Sequence, residues 1–415
     1  MKKYKETYIM NNKIKRFITL YPWYSGFTAD LLFYIAIDTL FLTQVKNFSA
    51  AQIVSVTSIS QFACIVLQFP VLFIIKRIGN TNSVRIGGLC LLLSSILITF
   101  GKNYYLVLLG RLFHDIAVIF RTASYVILEN NLDLVGKRND FVRIRTAANT
   151  VYAVVTMVIS FVASLMFNLN NYLPMFGCIA TCAIGFLLSF FMKDYSDYDR
   201  IPIVSKKHEK VKIHYSKLII LAIIVYCVFI SSCYMGQSQG KLFIQEYVVL
   251  SFNIEKTALI VGAIVCISRI IRVLSNVVFA KLYEKHQKTL GVALPVLLCL
   301  AIGFIFFGSF IPLIFAKIVV MAVGYIIILF ARDPFRLFMQ DTIFENTPKQ
   351  QHQTLLTVLE FGVKVGTAGM GLSFSAILLK YPMFVVMVIM FLIALVEVLL
   401  SIKLYKSIMA PKETE

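Results

Sequence analysis

Long apolar runs dominate this sequence, and they leave few folds open to it. A helix that crosses a bilayer needs about 20 mainly apolar residues. Twelve segments of the 415-residue chain meet that demand: 19–44, 50–75, 84–101, 104–129, 142–167, 173–192, 218–244, 257–280, 289–309, 312–341, 354–379 and 382–405. The chain is 59% hydrophobic, against about 45–50% in soluble domains. The expected fold class is an all-α membrane protein with twelve transmembrane helices.

The loops supply a topology. Lysine and arginine are sparse after odd-numbered spans (Lys46, Lys102, Lys256, Lys380) and denser after most even-numbered ones. There stand Lys76 and Arg77, then Lys137 and Arg138, then Lys281, Lys285 and Lys288; the gap after the tenth span has only Lys349. Cytoplasmic loops carry the positive excess, so both termini are expected in the cytoplasm. The same distribution explains the net charge of +19 as topology signalling, and no nucleic-acid partner is expected. The basic N-terminus (Lys2, Lys3, Lys5, Lys13, Lys15, Arg16) has no small-residue cleavage site after it, and so reads as an uncleaved first helix.

The longest gap, 193–217, is polar and divides the chain into two six-span halves, 1–192 and 218–415. His208 and His214 in this cytoplasmic linker read as solvated. At an offset of 211 residues, spans 4–5 align with spans 10–11 without a gap, matching Arg121 with Arg332, Thr146 with Thr357, Val154 with Val365, Thr156 with Thr367 and Ser164 with Ser375. Duplicated six-helix halves are a known transporter plan. All eight cysteines fall in apolar stretches and read as small packing residues.

Ionisable side chains inside these spans are the candidate functional residues, because a charge at the bilayer centre costs about 2.5–3.5 kcal/mol on insertion scales. Asp30, Tyr34 and Asp38 share one half of span 1. In span 4, Arg111, His114, Asp115, Arg121 and Glu129 fall within an arc of about 120°. Arg269 and Arg272 lie in span 8, and Arg332, Asp333 and Arg336 lie around Pro334 in span 10. Glu360 and Lys364 of span 11 are four apart, the spacing of a helical ion pair. Arg332, Arg336 and Glu129 lie near cytoplasmic ends, where reaching for interfacial water is the plain alternative. Glu397 and Lys317 stand isolated and read as lipid-edge or packing residues.

The whole length resembles the major facilitator superfamily, with its twelve spans, basic central linker and cytoplasmic termini. That family has a G-x-x-x-D-R-x-G-R-K loop between helices 2 and 3. Here Arg77 and Gly79 match its R-x-G core, which the resemblance makes the cytoplasmic gate. Lys76 stands where the family has Asp, Leu72 where it has Gly, and Asn80 and Thr81 replace the basic pair. Arg111 stands where the family's fourth helix opens R-x-x-x-G, with Asp115 in place of the Gly. A fainter likeness is to the glycoside–pentoside–hexuronide cation symporters, whose helix 1 Asp, helix 4 Asp and helix 11 Lys have counterparts in Asp30, Asp115 and Lys364. Their paired helix 2 Asp residues have none in 50–75. The resemblance implies that helices 1, 4, 7 and 10 line a cavity bordered by 8 and 11.

These readings lead to an expected function. The chain is a secondary transporter of a small polar solute, anionic or zwitterionic, working by alternating access and coupled to a proton or a monovalent cation. An exporter or flippase of drugs or amphipathic lipids, and a non-transporting scaffold or sensor, are the alternatives. Neither enzyme activity nor a cofactor is expected, since no phosphate-binding loop, HExxH motif or nucleophile elbow occurs in a suitable context. The expected setting is a bacterial-type cytoplasmic membrane, with a monomer as the default state.

Overall fold

The structure is a computed structural model that describes residues 2–196, 217–252, 254–347 and 352–409, with the side chains of 276–288 and a few shorter stretches left aside. Thirteen α-helices form it: α1 (Lys2–Phe27), α2 (Leu32–Leu40), α3 (Ala50–Ile78), α4 (Asn80–Phe100), α5 (Tyr104–Arg121), α6 (Ala123–Leu134), α7 (Phe141–Leu169), α8 (Leu173–Ser189), α9 (Lys217–Ser251), α10 (Ile254–Gly308), α11 (Ile314–Glu345), α12 (His352–Leu378) and α13 (Met383–Met409). Among the described residues, nine helices are long and apolar enough to cross a membrane. The expected linker residues 197–216, with His208 and His214, lie outside the described residues.

Four expected spans take another form. Span 1 is broken between α1 and α2 at residues 28–31. Thr28 Oγ1 bonds back to the Tyr24 carbonyl at 2.8 Å, and the Asp30 carboxylate accepts from the N–H of Leu31 at 2.8 Å. Short polar side chains that bond the local backbone compete with the helix ladder in this way. Span 4 is likewise interrupted at Thr122, whose Oγ1 bonds the Ile119 carbonyl at 2.7 Å. Spans 8 and 9 belong to one 55-residue helix, α10, about 80 Å long, so the turn expected between them is not there.

The chain forms two compact units, Met1–Phe41 with Ser60–Lys207, and Leu42–Ile59 with His208–Glu415. In the first, Phe17, Tyr21 and Tyr24 of α1 are buried in a cluster with Ile119 and Phe120 of α5, Ile127 and Leu128 of α6 and Met192. Close helix approach depends on glycines: a Cβ on Gly110 would come within 2.8 Å of Ile98, and one on Gly185 within 2.9 Å of Thr28. Phe62, Val66, Phe69 and Phe73 of α3 stay exposed at helical spacing, as a lipid-facing stripe requires.

In the second unit α11 packs closely on α10, where a Cβ on Gly324 would collide with the carbonyl of Ala301. The short segment 42–59 joins this unit through Gln245, which donates to Thr43 Oγ1 at 2.7 Å, and through Ser375, which donates to the Ala51 carbonyl at 2.9 Å.

Candidate functional site

The first unit gathers its ionisable residues around His114. The imidazole is buried on α5, with Nε2 2.9 Å from Asp30 Oδ1 and Nδ1 3.0 Å from Asp115 Oδ1. Asp30 reaches it from the break in span 1, whose irregular backbone frees that side chain to turn inward. The other oxygen of Asp115 accepts from Ser60 of α3 at 2.5 Å. Arg111, one turn before Asp115 on α5, lies within electrostatic range of Asp115, Asp30, Tyr34 and Asp38. Its Nε meets no acceptor among the described residues.

Proton counting shows what this arrangement can do. A neutral imidazole carries one N–H, and an ionised carboxylate only accepts. Two nitrogen–carboxylate contacts at hydrogen-bond distance need two protons. Satisfying both contacts therefore takes one proton more than a neutral histidine and two carboxylates supply. Losing that proton leaves one contact with two acceptors facing each other, so protonation and local geometry are linked.

Arg121 joins this unit in another way: its Nη1 donates at 3.4 Å to the Thr28 carbonyl, which the broken helix leaves available. Tyr34 is buried, and the Asp38 carboxylate accepts from the N–H of Thr39 at 2.7 Å. Glu129 falls on α6, past the break, and accepts from Arg138 at 2.6 Å on the exposed surface, so the single polar stripe expected along span 4 ends at Arg121.

The second unit has the reverse composition. Asp333 of α11 holds two arginines, with Arg272 Nε 2.6 Å from Oδ2 and Arg332 Nε 3.1 Å from Oδ1. Arg332 also donates to Gln237 Oε1 of α9 at 3.1 Å and lies over the Tyr234 ring at 5.1 Å. It is only 7% exposed, which speaks against the alternative that it reaches for interfacial water. Arg336 donates to Glu360 of α12 at 2.9 Å and to the Tyr226 hydroxyl at 3.2 Å. Glu360 thus has an interhelical partner, where the spacing favoured Lys364. Lys364 and Arg269 are half-buried on α12 and α10.

At the α3–α4 turn, Gly79 has φ +86°, a conformation that side chains other than glycine resist, and Arg77 is exposed. Asp194, beyond α8, is buried and draws this corner together: its Oδ2 accepts from Asn80 at 3.2 Å and Asn130 at 2.8 Å, and its N–H donates to Thr81 at 3.0 Å. The two residues that replace the basic pair of the family's loop thus both bond Asp194, Asn80 to its carboxylate and Thr81 to its N–H. Sequence reasoning missed Asp194, taken as linker, together with Ser60, Tyr234 and Gln237, because polar residues in or beside apolar helices give no sign of their partners. Among the described residues, no group of three or more His, Cys, Asp or Glu side chains could hold a metal ion.

A family model described as Major Facilitator Superfamily matches residues 23–342. No curated protein matches the chain. Among solved structures, a point mutant of the nucleoside transporter NupG is similar with a TM-score of 0.73 at 13% identity, covering 96% of this chain and 99% of that one. A second structure of NupG has a TM-score of 0.64 at 15% identity, covering 98% and 100%. A bacterial homologue of the iron transporter ferroportin in an inward-facing state has a TM-score of 0.68 at 14% identity, covering 94% and 98%.

Proposed function

The chain belongs to the major facilitator superfamily, and we propose that this multi-pass membrane transporter is a secondary carrier that moves a small polar solute by alternating access, coupled to protons through Asp30, His114 and Asp115. The observation that carries this reading is the bridging of two carboxylates by one buried imidazole. The site must hold a proton to keep its shape, and a carrier that binds solute in one shape only would bind and release the two together.

Arg269, Arg272, Arg332 and Lys364 serve solute recognition in this reading. Two arginines on one aspartate leave a net positive charge, and a guanidinium presents planar donors to a carboxylate or phosphate. The solute class is a small polar compound with an anionic or zwitterionic group. Nucleosides join the test panel because two of the similar structures are nucleoside transporters. The proposed topology is twelve spans in two six-helix halves with both termini cytoplasmic, in a bacterial-type cytoplasmic membrane, as a monomer. Arg77 and Gly79 form the cytoplasmic gate.

The test begins with thermal shifts of the purified protein against nucleosides, sugars, sugar acids, amino acids and small anions, since a ligand of the folded state raises its apparent stability. Compounds that stabilise are then followed into proteoliposomes. Uptake driven by an imposed pH gradient and abolished by a protonophore supports the proposal. Uptake indifferent to the protonophore and to pH removes proton coupling, and no flux of any stabilising compound removes transport.

A further inference from the structure

Glu397 takes no part in either site described above, yet it is the most enclosed acid among the described residues, at 0% exposed. Its surroundings begin with a sequence pattern. On α13, Met383, Met387, Met390, Ala394, Glu397, Ser401 and Leu404 are all buried, at alternating spacings of four and three. This is the seam that packs α13 against α9 and α10. Glu397 replaces an apolar residue in that seam, close to the middle of the 25-residue span Met383–Ser407. The lipid-edge position considered for it from sequence is therefore wrong.

An ionised carboxylate offers about four acceptor sites, and this one is met by a single long contact, from Ser401 Oγ to Oε1 at 3.5 Å. Its Oε2 has no partner. No lysine, arginine or histidine among the described residues pairs with it, and Ser401 supplies its one side-chain hydrogen bond among them. The thiols of Cys227 and Cys233 on α9 lie within electrostatic range of it. A carboxylate without counter-ion or donors is strongly disfavoured at mid-membrane. The neutral acid is the form that fits.

A second observation concerns α9, which packs on α13. α9 carries Ser232 and Gln239, seven residues apart on one face, whose side-chain polar atoms are buried without partners, and the Nε2 of Gln237 is also unpartnered. Buried polar atoms of this kind are usually satisfied by water. Cys233, on the same helix, stands within electrostatic range of Glu397 and also of Arg332 and Asp333.

We infer that Glu397 is a second proton-binding site, housed wholly in the second unit: it carries a proton as a neutral carboxylic acid while α13 is packed on α9, and exchanges it through the polar face of α9. The chemistry is reversible protonation of one carboxylate oxygen, with water as the exchange partner. The site does not depend on the His114 triad or on the nature of the solute.

The test is infrared spectroscopy of the full-length protein in lipid at neutral pH, comparing the parent chain with Glu397→Gln. The expected result is a protonated-carboxyl carbonyl band that is lost in the variant and shifts when the parent chain is moved into D2O. Loss of no band, or a band that never shifts in D2O, overturns the inference. Should Glu397→Gln fail to fold, dicyclohexylcarbodiimide, which adds to protonated carboxyls in apolar surroundings, serves on the parent chain alone. Glu397 is the single acid in 383–409, so a mass-spectrometric adduct in that segment supports the site, and an unmodified segment overturns it. Both readouts stand apart from transport, so failure of the proposed solute reading leaves them intact.

Discussion

The two units bury polar sites of opposite make-up. In the first, one base lies between two acids: His114 between Asp30 and Asp115. In the second, one acid lies between two bases: Asp333 between Arg272 and Arg332. An imidazole is the side chain whose ordinary titration lies nearest physiological pH. The arginine site does not titrate there, since guanidinium stays charged. One site is thus suited to respond to protons, and the other to present a constant positive charge.

Substitutions separate the two behaviours. The largest expected effect is that of Asp333→Asn, which leaves the buried guanidinium of Arg332 and the partly exposed one of Arg272 without their carboxylate. Breaking a buried pair costs about 3–5 kcal/mol, and thermal unfolding in detergent should register it as a large fall in melting temperature. Stability close to that of the parent chain would show that the arginines have other counter-ions.

Next comes His114→Gln. It keeps a polar side chain but cannot hold the extra proton, so uptake driven by a pH gradient should fall about 100-fold, equal to about 2.7 kcal/mol in barrier. The sign of the pH dependence follows from the proton being a co-substrate: uptake by the parent chain falls as pH rises on the entry side, while the residual uptake of the variant is flat. A variant with an unchanged pH profile would assign the coupling elsewhere. A smaller effect is expected of Ser60→Ala. It removes a hydrogen bond to a carboxylate worth about 1.5–3 kcal/mol and should weaken gradient-driven uptake about tenfold with no change in the arginine site, as read by solute-induced thermal shift.

The smallest effect belongs to Arg138→Ala. The Arg138–Glu129 pair is short, at 2.6 Å, but its side chains are 67% and 44% exposed. Exposed pairs contribute about 0–1 kcal/mol, so transport and melting temperature should barely move. A large loss in this variant would mean that the polar stripe of span 4 continues functionally past Thr122.

The sequence made some of this legible and hid the rest for physical reasons. Hydrophobic run length disclosed an all-helical membrane fold, with nine qualifying helices among the described residues against twelve expected spans, and charge within apolar runs singled out Asp30, His114 and Asp115. The partnerships were another matter. Asp333 and Arg272 are 61 residues apart on neighbouring helices, and no local spacing encodes that distance. The four-residue spacing of Glu360 and Lys364 pointed along one helix, while the structure gives Glu360 to Arg336 across two. The breaks at 28–31 and Thr122 were hidden because Thr and Asp in an apolar run leave the hydropathy high while their side chains capture the local backbone. Glu397 was hidden in plain sight: its place on the buried seam is readable from spacing, but only packing shows which face of α13 is the buried one.

The measurement that addresses the proton account most directly is 15N NMR of histidine-labelled protein, with the His114 signals among the five histidines assigned through His114→Gln. The account predicts two protonated ring nitrogens on His114 at neutral pH, one for each carboxylate it faces. One protonated and one bare ring nitrogen would contradict it.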